Sequence, residues 1–197
     1  HELSVNLNGS GWFGTTDNRN NQIITDNSYQ PLTGAVEQLR IADEENDRGS
    51  LTLKADYTRP FKNDMKLETG WQSRLISGLS DYNFMNYDPV TGTWVNNPQF
   101  TNKTDYHLNV HALYATWSGK LFGFDYKAGL RAEYTDRLLD QLTLGEQYDL
   151  YRWDLYPSAY ITRQLKNKQQ IQLSYSRRIE RPRPWFLNPY PDYSDDY

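Results

Sequence analysis

Histidine is the side chain best suited to move protons or hold metal near neutral pH, and only three occur, at positions 1, 107 and 111. His107 and His111 are four apart, a metal-ligand spacing on a helix. On a strand they share a face but stand about 13 Å apart at roughly 3.3 Å per residue, too far for one zinc. They therefore read as two polar residues of a wet interior. Asp43, Glu44, Glu45 and Asp47 could offer oxygens to calcium. Counting from Asp43, however, the sixth position of a calcium loop falls on Arg48, and Gly49 comes one late, so a solvated loop is the better account. Nothing resembles a Gly-x-Ser-x-Gly nucleophile turn. Cysteine is absent, which removes disulfides and thiolate sites. The expectation is a chain that is not an enzyme and needs neither cofactor nor metal.

Recognition chemistry is better supplied. Tyr87, Trp94 and Trp185 lie in polar segments and could stack on sugars, and Arg177 stands where a strand runs out toward a rim. These four are the candidate ligand contacts. Net charge is -4 with no basic run, which argues against a nucleic-acid partner.

The elements that must position these residues follow a period of two. Phe124, Tyr126, Ala128, Leu130, Ala132 and Tyr134 fall on one face of a strand, with Asp125, Lys127, Gly129, Arg131 and Glu133 on the other. The same rhythm marks Leu51 to Thr58, Leu67 to Leu75, Leu155 to Ile161, Ile171 to Ser176 and Leu3 to Asn8. It holds less cleanly where Tyr106, Leu108, Val110, Ala112 and Tyr114 alternate with His107, Asn109, His111 and Leu113. Seven strands are expected, at 1–13, 49–61, 65–80, 104–118, 122–136, 150–165 and 168–180. Tight turns near 62–64, 118–120 and 166–167 alternate with long polar loops at 14–48, 81–103 and 137–149.

Only 37% of residues are hydrophobic, yet 15% are aromatic, a combination that fits neither a disordered chain nor an ordinary soluble core. No apolar run approaches the roughly 18 residues of a membrane-spanning helix. An antiparallel up-and-down transmembrane β-barrel satisfies all of this: apolar outward positions, a polar lumen, aromatic girdles, short turns at one end and long loops at the other. Phe61, Trp117, Phe122 and Phe124 mark the turn-end girdle. Trp12, Phe13, Tyr82, Phe84, Tyr106, Tyr134, Tyr151 and Trp153 mark the loop-end one. Lys54, Asp56, Glu68, Arg74, Lys127, Arg131, Glu133, Asp154 and Arg178 are expected to face the lumen, paired with opposite charges on adjacent strands.

One stretch carries more than periodicity. Tyr175-Ser-Arg-Arg-Ile179, Arg181-Pro182 and Leu187-Asn-Pro189, with Pro157-Ser-Ala159 on the strand before, resemble the barrel region of Bacteroidetes-type TonB-dependent outer-membrane receptors. The resemblance implies that residues 1–197 are a fragment of one barrel domain of about 22 strands, without its plug. It further implies import of a bulky nutrient of the siderophore, cobalamin or oligosaccharide class. The partners it implies are outer-membrane lipid, the TonB complex through the missing plug, the imported small molecule or glycan, and a surface lipoprotein. Both ends read as cut, and seven strands are too few to close such a barrel. The alternatives are a non-transporting surface or assembly barrel and a soluble carbohydrate-binding β-sandwich.

Overall fold

A strand with one apolar and one wet face can satisfy its backbone only by pairing along its whole length, and that is how this chain folds. The computed structural model describes residues 1–23, 25–35 and 37–182. Among these residues the strands are β1 (Glu2–Gln22), β2 (Gln38–Pro60), β3 (Lys66–Asp88), β4 (Thr93–Asn96), β5 (Asn102–Leu121), β6 (Phe124–Gln141), β7 (Glu146–Gln164) and β8 (Gln170–Ser176). They form one antiparallel sheet in the order β1-β2-β3-β5-β6-β7-β8, with β4 paired to β3 alone. The seven expected strands are present as sequential neighbours. Strands β1 and β8 are the edges, and among the described residues they do not pair with each other.

The boundaries differ from expectation in one direction. Strand β1 runs on to Gln22 and β2 begins at Gln38, so the loop expected at 14–48 shrinks to 23–37. The loop expected at 137–149 is a turn over 142–145, with Gly145 at φ 68°. The segment 81–103 contains the β3–β4 hairpin. The acidic run from Asp43 to Asp47 accordingly lies within β2, not in a loop. The physical reason is that the outer halves of these strands are polar on both faces. Backbone pairing continues there without the hydropathy contrast that reveals it in a sequence.

The turns at the other end are tight. Phe122 and Gly123 take φ of 51° and 78°, and Asn63 and Asp64 take 60° and 56°. Positive φ at both central residues matches the right-handed twist of the flanking strands. The turn expected at 118–120 therefore sits beyond Leu121. Strand β8 stops at Ser176 rather than 180 because its next partner on β7 is Pro157, which has no N–H to return a ladder bond.

The register assigns the two faces. Leu51, Ala55, Trp71, Leu113, Ala115, Leu130, Ala132, Leu155, Ile161 and Leu173 fall on one, in an apolar band. Leu130 and Leu173 keep 51% and 72% of their surface, so among the described residues no protein layer covers this side. At the turn end Phe61 packs on Trp117 at 5.1 Å, and Trp117 Nε1 donates to the Tyr126 hydroxyl at 3.0 Å. At the loop end Tyr134 packs on Trp153, also at 5.1 Å. Two aromatic girdles thus bound the band.

Strand β5 corrects the sequence reading. Val110 pairs with Arg74 and Ala112 with Gln72, so Tyr106, Leu108, Val110, Ala112 and Tyr114 share the charged face. There Tyr106, Leu108, Val110 and Leu139 are buried together, with Ile76 packed against them. His107 and His111 face outward instead, level with Ser77 and Ser73, and His111 Nδ1 lies 2.8 Å from Ser73 Oγ. Trp12, Tyr82, Phe84 and Tyr106 also leave the expected girdle. They pair with Arg48, Glu44, Ala42 and Gly78, on the charged face.

Candidate functional site

The charged face is an ordered wall whose rows can be read across the sheet. One row runs Asp56, Gly70, Tyr114, Arg131, Tyr156, and the next Lys54, Gln72, Ala112, Glu133, Asp154. Beyond them come Thr52, Arg74, Val110, Thr135, Arg152, and then Ser50, Ile76, Leu108, Arg137, Leu150.

Glycine and alanine make room for long reaches across these rows. The Tyr114 ring lies over Gly70, where any Cβ would collide with it, and its hydroxyl donates to Asp56 two strands away. Lys54 Nζ completes the group, 2.7 Å from Asp56. Arg131 also stacks on Tyr114, 5.5 Å from the ring centre, and reaches Gln72 Oε1 on β3 at 3.3 Å. Substituting Gly70→Val should displace the Tyr114 ring and cost about 1–3 kcal/mol of stability, as overpacking does. Denaturant midpoints of the folded protein would measure it, and a midpoint equal to the unsubstituted protein's would mean the ring does not need that space.

Charge pairing on the wall differs from expectation in its geometry. Partners mostly share a strand, two residues apart: Lys54–Asp56 at 2.7 Å, Lys66–Glu68 at 2.9 Å, Arg131–Glu133 at 2.5 Å and Arg152–Asp154 at 2.7 Å. Lys127 reaches Glu68 at 3.6 Å across the whole of β5. Alternation places residues i and i+2 on one face, and long side chains close that gap easily.

The centre of the wall is Glu133, whose side chain is only 8% exposed. Arg131 Nε donates to Glu133 Oε1, and Arg181 Nη2 donates to Glu133 Oε2, each at 2.5 Å. Arg181 also donates to Thr135 Oγ1 at 3.1 Å. Arg181 reaches this point because the chain leaves the sheet after β8: Arg177 N still donates to Pro157 O at 3.1 Å, and the following residues cross the charged face. Sequence spacing names Arg131 and Glu133 as inward groups but gives no sign of Arg181.

The four candidate contacts separate. Tyr87 and Trp94 are direct cross-strand partners in the β3–β4 hairpin, with ring centres 5.4 Å apart at 63°. They project at the long-hairpin end, on the side continuous with the outward face. The hairpin tip is tied by Asp88, which accepts from Val90 N at 2.9 Å and from the Thr91 hydroxyl at 2.8 Å. The Val90 amide, then the Thr91 hydroxyl, hold the Asp88 carboxyl below its ordinary pKa. The Arg177 side chain is exposed just past β8, apart from that pair, and Arg178 is exposed beside it. Trp185 lies outside the described residues, as does the Leu187-Asn-Pro189 stretch.

On the outward face a shallow concavity is lined by Leu3, Ala55, Tyr57, Leu113, Ala115 and Leu130. Its position in the apolar band suits acyl chains rather than a water-soluble ligand.

A family model described as an outer membrane protein beta-barrel family matches residues 1–197. No curated protein matches the chain.

Proposed function

The chain belongs to the outer membrane protein β-barrel family, and on that premise we propose that it forms part of the barrel of a TonB-dependent transporter that imports a bulky nutrient of the siderophore, cobalamin or oligosaccharide class. Its place is the outer membrane. The observation that carries the proposal is the division of one sheet into an apolar band and an ion-paired wall, with the long hairpins projecting at one end only. A wall with guanidinium groups and phenols aimed inward can conduct a polar solute past lipid.

Open strand edges are not tolerated against hydrocarbon, so further strands must cover β1 and β8. A closed barrel of about 22 strands with a plug would supply them. The plug contacts the TonB complex, and the projecting hairpins meet the ligand or a surface lipoprotein.

Excision of residues 85–100 from the intact protein tests this. It removes the Tyr87–Trp94 hairpin at a point where Phe84 N already donates to Thr101 Oγ1 at 3.2 Å, so the ends are held together without it. A long loop shortens at little closure cost. The barrel should stay folded while nutrient uptake falls severely, and uptake by the unaltered protein should vanish in cells without energised TonB. Uptake that ignores both changes would point to a non-transporting surface or assembly barrel.

A further inference from the structure

Charge on the lumen wall is unbalanced where the rows meet Arg181. Over the four rows, six cations, of Lys54, Arg74, Arg131, Arg137, Arg152 and Arg181, face three carboxylates, of Asp56, Glu133 and Asp154, and Asp56 is taken by Lys54. Asp154 is taken by Arg152, and Glu133 is shared by Arg131 and Arg181. Among the described residues no carboxylate meets Arg74 or Arg137.

One buried donor in the same neighbourhood is also unspent: the Arg137 Nε is shielded from solvent and completes no hydrogen bond. Arg137 stands one row beyond Thr135, which Arg181 contacts, and the fields of both guanidinium groups reach the Tyr106 hydroxyl. A buried donor without an acceptor is costly, and an excess of guanidinium beside it specifies the missing acceptor as an anion.

We propose that Arg137 and Arg181 line an anion site on the lumen wall, taking a carboxylate or phosphate group of the imported ligand. The site rests on the transport function above and narrows the substrate to an anionic one. Glu133 is its built-in occupant. By holding Arg131 and Arg181 it keeps two guanidinium groups ordered, and a ligand oxyanion that displaces it inherits both. The remaining excess of positive charge draws the anion inward along the wall.

The test is isothermal titration of the full-length protein in detergent micelles with citrate, inorganic phosphate and, as a neutral control, maltoheptaose. Folding of each variant is checked by heat-dependent gel mobility. Citrate or phosphate should bind, and maltoheptaose should not compete. Arg137→Gln and Arg181→Gln should each weaken binding about tenfold, as loss of a charged hydrogen bond does. Glu133→Gln should strengthen it about three- to tenfold, because the internal competitor loses its charge. A purely structural Glu133 would not improve binding when neutralised. Absence of anion binding, or anion binding that these variants leave unchanged, overturns the site. TonB-dependent uptake of a neutral solute without anion binding also overturns it, and leaves transport standing. Anion binding without TonB-dependent uptake keeps the site and removes transport.

Discussion

Leu130→Arg is expected to cost the barrel about 2–4 kcal/mol, the cost of a guanidinium at the lipid face near midplane. Leu130 sits in register between Ala115 and Pro157, in the middle of the apolar band, and keeps 51% of its surface exposed. An arginine there must shed water or drag it into hydrocarbon. Ser174→Arg is the control, since Ser174 is exposed on the opposite face beside Tyr160 and meets water. Urea unfolding of the full-length protein from lipid vesicles reads both. Equal midpoints would mean the faces have been assigned the wrong way round. Gly129 is a poor control even though it lies on the water side. A Cβ there would stand 2.8 Å from Ser158 Oγ and 3.1 Å from Thr116 Oγ1, so any side chain strains the wall.

Removing the Glu133 carboxylate should be the most damaging change on the wall. Glu133→Ala leaves Arg131 and Arg181 facing each other without their shared acceptor. Breaking a buried pair by deleting one partner costs about 3–5 kcal/mol, and the lower figure is expected here because water reaches both guanidinium groups. Their side chains are 31% and 28% exposed. In a double-mutant cycle with Arg181→Ala, the coupling should reach about 1–3 kcal/mol, since the two side chains share one network. Strict additivity in the same unfolding experiment would show that Arg181 rests on the wall without binding it.

Much of the fold was legible because most strands carry hydropathy contrast. Leu51, Leu53 and Ala55 against Thr52, Lys54 and Asp56 admit only one face for lipid. Strand β5 was not legible because both of its residue sets contain apolar side chains. Leu113 and Trp117 serve the outward band, while Leu108 and Val110 fill the small buried cluster on the charged face. Strand lengths were understated where both faces are wet. Of the wall, same-face spacing exposed Arg131 and Glu133. Arg181 lies 48 residues from Glu133, and their contact depends on the chain leaving the sheet where Pro157 ends the ladder. No local pattern encodes that departure. Tyr87 and Trp94 were recognisable as a pair of exposed aromatics, but their direct opposition required the register of β4.

The length of β2 has a consequence for what the cell presents to its surroundings. From Leu51, at the top of the apolar band, the strand continues thirteen residues to Gln38, and β1 accompanies it. At roughly 3.3 Å per residue and a tilt near 45° that is about 30 Å of protein standing clear of the acyl chains. With this end outward, the hairpin forms a parapet as tall as the bilayer core is thick, tall enough to rise through the sugars of the outer leaflet. A solute, a phage or an antibody approaching the surface meets its acidic flank before it meets lipid. The entrance to the lumen is set by that parapet and not by the membrane plane.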